Sequence, residues 1–213
     1  MQKILQNVLN NYLQAKTEAI KGHDLAKFIR QDAIQTIYDK AYIDPNRYYI
    51  KGSVGQGQWA TGPWIAIMDP EITRTPQEGY YIVYLFTEDM KGVFLSLNQG
   101  WTYFHNKYEG DDALKNIAAV SRYWKKELYS ALDDFDNIEI ALRIKGSNHR
   151  LLQGYENGHI LGLYYSANNI PPSSTLADDL RNILGVYREL KGKISNRSVT
   201  AVNDSILHDT QGL

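Results

Sequence analysis

The chain of 213 residues contains no cysteine. This absence excludes disulfide bonds, thiolate nucleophiles and zinc sites that use cysteine, and it fits a reducing compartment. The sequence also lacks any apolar run close to the roughly 20 residues that span a membrane. Its first residues, MQKILQNVLNNYLQ, do not have the basic leader of a signal peptide. We therefore expect a cytoplasmic protein that does not contact the membrane.

An excess of charge of either sign is absent as well. Lysine and arginine number 23, aspartate and glutamate number 24, and the formal net charge is -1. The composition thus predicts no overall attraction to phosphate. Any surface that binds nucleic acid must be built locally.

Several catalytic motifs are missing. The sequence has neither the GxxxxGK[ST] loop of nucleotide hydrolases nor the GxSxG nucleophile elbow. The glycines of GSVGQG do not have the spacing of the dinucleotide motif GxGxxG. The histidines form no HxH or HxxxH pair, which leaves no local support for a metal site. They are His23, His105, His149, His159 and His208.

The acidic residues do not form a nuclease motif. They cluster at positions 111–112, 133–136 and 178–179, and the segment IEIALRIKG does not arrange its charges as a strand-borne E-x-K. Helix capping explains Asp111 and Asp178 more simply. We therefore expect a non-catalytic chain with no metal and no cofactor.

The residues that are present are typical of a folded domain rich in aromatic side chains. Hydrophobic residues make up 43% and charged residues 22%, which is ordinary globular usage. The 16 tyrosines and 4 tryptophans have polar edges, and such rings suit both protein cores and base-stacking pockets. Composition alone does not decide between these roles.

Apolar residues spaced by three and four predict helices in four parts of the chain. One lies within residues 1–20 and ends at Gly22, and a second runs from residue 23 to just before Pro45. A third covers residues 111–132. A last helix follows Pro172, with the Ser-Ser-Thr stretch as its cap.

Runs of β-branched and aromatic residues punctuated by glycine predict strands. Three or four lie within residues 48–100, with a glycine-rich loop at residues 52–62 and another connection at 69–79. IEIALRI and HILGLYYSANNI are further predicted strands, separated by a loop at residues 145–158. We predict a mixed α/β fold in which a central, mostly antiparallel β-sheet is flanked by N-terminal, middle and C-terminal helices.

The chain is expected to contain one domain, at residues 1–192. The following residues 193–213 are polar and aperiodic, which predicts a linker or flexible tail.

The most distinctive segment is residues 51–100. It contains KGSVGQGQWATGPWI, then GYYIVYLF, then DMKGVFLSLNQG. In this order the segment resembles the N-terminal DNA-recognition domain of McrB-type modified-cytosine restriction subunits. The resemblance implies a domain that flips a modified cytosine out of duplex DNA into an aromatic pocket, as the specificity module of an antiviral restriction system.

The resemblance also implies residues for the pocket. Trp64 of the P-W-I motif matches the pocket tryptophan of that family, and Tyr81 and Leu85 on the following strand match the other wall. With a side-chain period of two, Tyr81 and Leu85 point to the same face of their strand.

The glycine-rich loop is the implied DNA-binding loop. Its Gln56 matches the position from which the family prototype inserts a tyrosine, so this chain departs from the prototype there. A glutamine can still hydrogen-bond to the orphaned guanine. The expected phosphate contacts are side chains and backbone amides, because glycine lets the backbone approach closely. The expected loop residues are Lys51, Ser53, Gly55, Gln56, Gly57 and Trp59.

Four functions remain open. The first is recognition of double-stranded DNA that contains a modified cytosine, with 5-methylcytosine expected and with the endonuclease on another domain or subunit. The second is a reader of modified single-stranded RNA. The third is an enzyme that uses the acidic clusters to bind Mg²⁺. The fourth is a nuclease-associated scaffold domain whose aromatic residues are all core.

Overall fold

A computed structural model describes residues 1–128, 135 and 138–211. Its centre is a five-stranded sheet in the order β1-β2-β3-β4-β5, in which every neighbouring pair is antiparallel. The mixed α/β fold with a central antiparallel sheet is therefore confirmed. The strands are β1 Tyr49–Ser53, β2 Trp64–Met68, β3 Tyr80–Phe86, β4 Gly92–Gln99 and β5 Leu161–Ser166.

Helices precede the sheet, interrupt it between β4 and β5, and follow it. They are α1 Gln2–Ala15, α2 Asp24–Arg30, α3 Asp32–Ala41, α4 Trp101–Lys107, α5 Asp112–Glu127, α6 Arg150–Gly158, α7 Ser173–Ile194 and α8 Val199–Gln211. The N-terminal region thus has three helices, where two were predicted. The backbone of Gln31, at φ -133, separates α2 from α3.

The sheet has two faces that are covered to different extents. The first face carries residues such as Ile65, Ile82 and Tyr84, and it joins the main core with the N- and C-terminal helices. The second face carries a smaller apolar cluster. Because both faces of β3 are covered, all seven of its residues are buried, as its nearly continuous apolar sequence suggests.

Residues 138–144, predicted as a strand, are not one. They run across the second face of the sheet, where Ile140 and Leu142 are buried. The backbone N–H groups of Leu142 and Arg143 donate to the Glu156 carboxylate, and the Leu142 carbonyl accepts the Glu88 backbone N–H, so this backbone is not paired with a strand of the sheet. The predicted loop at residues 145–158 is also wrong, because it contains α6.

The predicted flexible tail is a packed helix as far as Gln211. α7 continues past residue 192 to Ile194, and α8 follows it. α8 buries Val202 and Ile206, together with the polar Asn203, which accepts a hydrogen bond from the Tyr80 hydroxyl. Residues 212–213 and the predicted helical residues 129–132 lie outside the described part.

The predicted Ser-Ser-Thr cap of α7 is not formed. Pro172 occupies the N-cap position, and no side chain caps the helix. The hydroxyl of Ser173 instead accepts a hydrogen bond from the backbone N–H of Gln2 at 3.1 Å, which ties the start of α7 to the start of α1.

Candidate nucleic-acid interface

The loop between β1 and β2, residues 54–63, projects from one end of the sheet. The backbone N–H of Ala60 donates to the carbonyl of Val54 at 2.7 Å, which closes the loop at its base. Gly55 has φ +104, and a Cβ there would lie 2.1 Å from the carbonyl oxygen of Gln58. Only glycine fits this position, because a side chain would clash and would also be strained at that φ.

Aromatic contacts anchor the base of the loop to the helices. The Tyr12 hydroxyl donates to the Ala60 carbonyl at 2.9 Å, and the indole N–H of Trp59 donates to the Glu18 carbonyl at 2.8 Å. The Trp59 ring makes edge contacts with Tyr12 and His23, with centroids 5.4 and 5.0 Å away. The structure therefore places Trp59, an expected loop residue, against the helices.

The tip of the loop is exposed. Gln56 and Gly57 lie in solvent, and Gly57 has φ +74 with open space around it. Below the tip, the backbone N–H of Gly55 donates to the Ser53 hydroxyl at 3.2 Å, while Arg30 donates to the Gly55 carbonyl at 2.8 Å. Among the expected phosphate contacts, Ser53 and Gly55 are thus engaged with each other.

The expected pocket residues lie together on the second face. Trp64 and Leu85 are direct cross-strand partners, and Tyr81 lies on the same face of β3 as Leu85. On the neighbouring strand β1, Ser53 is the cross-strand partner of Trp64, and the exposed Lys51 lies on the same face of the sheet. The alternation that the sequence predicted therefore brings these side chains to one surface.

The expected pocket residues differ in their access to solvent. Trp64 is half-buried, whereas Tyr81 and Leu85 are only 1% and 3% exposed. The Tyr81 hydroxyl donates to the Gln99 carbonyl at 3.3 Å, and burial holds its pKa well above the ordinary value. The wall that was predicted to contact a base is closed in this structure.

α6 and the segment at residues 138–142 form the cover. Ile140, Leu142 and Leu152 are buried in the same cluster as Tyr81 and Leu85. Tyr155 of α6 packs against this cluster, and burial raises its pKa to about 12. Sequence reasoning missed Tyr155, because it lies in the segment that was predicted to be a loop.

A second projection, which we call the 144–147 turn, lies beside this cover. The backbone N–H of Ser147 donates to the Ile144 carbonyl at 3.0 Å, and Gly146 has φ +88 at the third position of the turn. This combination is typical of a type II turn. Lys145 is exposed, and Ile144 is 49% exposed.

Glu156 of α6 braces this turn. One carboxylate oxygen accepts the backbone N–H groups of Leu142 and Arg143 at 2.9 and 3.1 Å, and the other accepts the Arg143 side chain at 2.8 Å. Arg143 in turn donates to the Ser147 carbonyl at 2.8 Å. The turn is thus held by charge-assisted hydrogen bonds, which are the stronger kind.

Two contacts join the turn, and His149 just after it, to the sheet and to the β1–β2 loop. The Thr61 hydroxyl and Nε2 of His149 are 2.8 Å apart, at hydrogen-bonding distance. The backbone N–H of Ile144 donates to Glu88, which lies between β3 and β4, at 3.0 Å. Because β1 and β3 end on the same side of the sheet, both projections stand at one end of the domain.

This end of the domain carries several cations although the whole chain is nearly neutral, and its carboxylates Glu88 and Glu156 are engaged in hydrogen bonds with the 142–144 backbone. Arg30, Lys51 and Lys145 contribute cations, and Lys16 reaches the Thr61 carbonyl at 3.5 Å. A local surface of this kind is what the composition required for binding to phosphate.

A family model described as "MrcB-like, N-terminal domain" matches residues 7–192. The chain belongs to this family. Membership makes it a DNA-binding specificity module of McrB-type systems, and it confirms the resemblance drawn from residues 51–100. The match includes the whole sheet and both projections, and it ends before α8. No curated protein matches the chain.

Structural contacts account for the described acidic clusters. Asp111 pairs with Arg150 at 3.0 Å and does not cap α5 through its side chain, and Asp178, which lies within α7, pairs with Arg181. The expected caps are therefore not formed. Residues 133, 134 and 136 lie outside the described part. Within the described ranges, no three His, Asp or Glu side chains are grouped to hold a metal ion.

None of the described helices is both long and apolar enough to cross a membrane.

Proposed function

We propose that this MrcB-like domain binds duplex DNA and takes a modified cytosine, with 5-methylcytosine as the first candidate, into the space between Trp64, Tyr81 and Leu85. The endonuclease that it directs resides on another domain or subunit, and the module itself is non-catalytic and needs no cofactor. The observation that carries the proposal is the row of pocket residues on one sheet face, directly beside two exposed projections.

The energetics of base flipping fit these side chains. Extruding a base costs a few kcal/mol of lost pairing and stacking. Stacking on an aromatic side chain returns about 1–3 kcal/mol per base. The half-buried Trp64 is the first ring that an entering base can contact, and Leu85 lies next to it across the strands.

Entry of a base to Tyr81 requires movement of its cover. The apolar side chains of Ile140 and Leu142 close the second face in the free domain. DNA must therefore bind better to an open state of this segment than to the closed one, since a ligand shifts a conformational equilibrium only through its differential affinity.

The phosphate contacts in this proposal come from the exposed parts of the interface. Lys51 supplies a cation, and Gly57 offers an exposed backbone at the loop tip. In the free domain, the hydrogen bond from the Gly55 N–H to the Ser53 hydroxyl shapes the loop. These two groups contact phosphate only when DNA competes for that hydrogen bond.

The experiment is binding of the purified chain to matched duplexes containing cytosine, 5-methylcytosine or 5-hydroxymethylcytosine, at low and moderate salt. The Trp64→Ala variant should lose the preference for a modified duplex, with a fall in affinity of about 5- to 150-fold if one stacking contact is removed. Tyr164→Ala is the matched control, because Tyr164 is a 41% exposed aromatic on the same sheet face but on the distant strand β5.

Equal binding to all duplexes, or a preference kept by a folded Trp64→Ala variant, would refute the flipped-base pocket. Tighter binding to a modified single-stranded RNA than to any duplex would identify an RNA reader. No affinity for nucleic acid at low salt would leave a scaffold domain.

A further inference from the structure

Ile144 places an apolar side chain at an exposed position of the DNA-binding end. Single exposed apolar residues are common on protein surfaces. This one, however, is 49% exposed at the first position of the 144–147 turn and is followed directly by the exposed Lys145. The pairing of an apolar side chain with a cation suits a contact with a base stack and its adjoining phosphate.

The position of Ile144 is fixed before any ligand binds. Its backbone N–H is held by Glu88 at 3.0 Å, and its carbonyl accepts the Ser147 N–H at 3.0 Å. The ion pair between Arg143 and Glu156 holds the preceding residue. The β-branched side chain is itself stiff at χ1, so little conformational entropy remains to be lost on binding.

The neighbouring β1–β2 loop lacks an obvious side chain to fill a gap in the stack. Its exposed tip carries Gln56 and Gln58 around Gly57. A glutamine amide satisfies hydrogen bonds but replaces few of the stacking contacts that a flipped base leaves behind. The hydrogen bond between Thr61 and His149 joins this loop to the start of α6, two residues after the 144–147 turn.

We propose that Ile144 is the wedge that enters the duplex beside the extruded base, while Lys145 contacts the adjacent phosphate. Apolar side chains, including isoleucine, are used in this way by proteins that unstack base steps. Gln56 then hydrogen-bonds to the orphaned partner base, so the two projections divide the roles of filling the gap and reading the partner. This inference rests on the proposed function, because a wedge is needed only if a base leaves the stack.

The test compares Ile144→Ala with wild type on two duplexes. In the first the modified cytosine is paired with guanine, and in the second it is opposite a mismatched base that already leaves it unpaired. The wedge offsets the cost of opening a matched pair, so Ile144→Ala should lose about tenfold in affinity for the matched duplex and under about threefold for the mismatched one. Ile144→Leu, which restores an apolar side chain, should recover most of the loss.

Leu151→Ala is the matched control, because Leu151 is a 40% exposed apolar residue on α6 outside the turn. It should bind both duplexes like wild type. An equal loss of affinity by Ile144→Ala on both duplexes would show an ordinary surface contact and overturn the wedge. No loss of affinity on either duplex would also overturn it. If wild type does not prefer modified DNA at all, the proposed function fails first, and the wedge fails with it.

Discussion

His159 should make this domain lose stability in mild acid. The residue directly follows α6, and its Nδ1 lies 2.7 Å from the Ser96 hydroxyl of β4. Burial, aided by the charge of Lys125, lowers the pKa of His159 from 6.5 to about 4. The folded protein therefore keeps this imidazole neutral under conditions in which an unfolded chain would protonate it.

The sign and size of the effect follow from proton linkage. Between pH 6.5 and about 4 the unfolded chain binds a proton that the folded chain does not, so stability falls as the pH is lowered. The contribution of His159 is fully present above pH 6.5 and is lost once the pH has fallen to about 4. A pKa gap of this size corresponds to about 3 kcal/mol in the free energy of unfolding.

The assay is urea unfolding of wild type and His159→Gln at several values between about pH 7 and pH 4. The variant lacks the titrating group. Over this pH range its free energy of unfolding should therefore decrease by about 3 kcal/mol less than that of wild type. His208→Gln, which changes a histidine whose side chain is 73% exposed, should follow wild type. Because Asp89 and Asp179 titrate in all these proteins, only the difference between them reports on His159. Parallel pH profiles for wild type and His159→Gln would refute the buried neutral imidazole.

Three further outcomes are expected. Gly57→Ala, at φ +74 in open space, should lower the free energy of unfolding by about 1 kcal/mol. Gly55→Ala, whose Cβ would meet a carbonyl at 2.1 Å, should lower it by at least about 2 kcal/mol more, measured by thermal unfolding. Asn203→Ala leaves the buried Tyr80 hydroxyl without its partner and should cost about 1–3 kcal/mol; a variant with unchanged Tm would contradict the role given to α8. Lys51→Ala should weaken binding to modified and unmodified duplexes alike and reduce the slope of log affinity against log salt by about 1, whereas a loss confined to modified DNA would place Lys51 in base recognition.

The sheet was predictable because its sequence signals are local. Glycines and the aromatic, β-branched runs mark β1 to β4, and the period of two places Tyr81 and Leu85 on one face. Residues 138–144 have the same alternating pattern, and the structure does bury Ile140 and Leu142. The strand assignment failed because the backbone N–H groups of Leu142, Arg143 and Ile144 donate to the carboxylates of Glu156 and Glu88, which no local pattern reveals.

α8 shows a second limit of sequence reasoning. Its buried stripe is interrupted by Asn203, so the segment reads as polar and aperiodic. The asparagine is tolerated in the core only because Tyr80, far away in the sequence, supplies a hydrogen bond. The closed state of the proposed pocket also depends on contacts between segments that are distant in sequence, because its cover comes from residues 138–142 and from Tyr155 of α6. Local sequence patterns do not predict such contacts.

The anchoring of the two projections has a consequence for how the domain can diversify. Each is fixed at its base, the β1–β2 loop by Tyr12 and Trp59 and the 144–147 turn by Glu156, and each leaves its outermost side chains in solvent. Substitutions at Gln56 or Lys145 therefore leave the core unchanged. Under the proposed function, such domains can acquire new flanking-sequence preferences through single mutations at these tips while the proposed pocket of Trp64, Tyr81 and Leu85 stays the same.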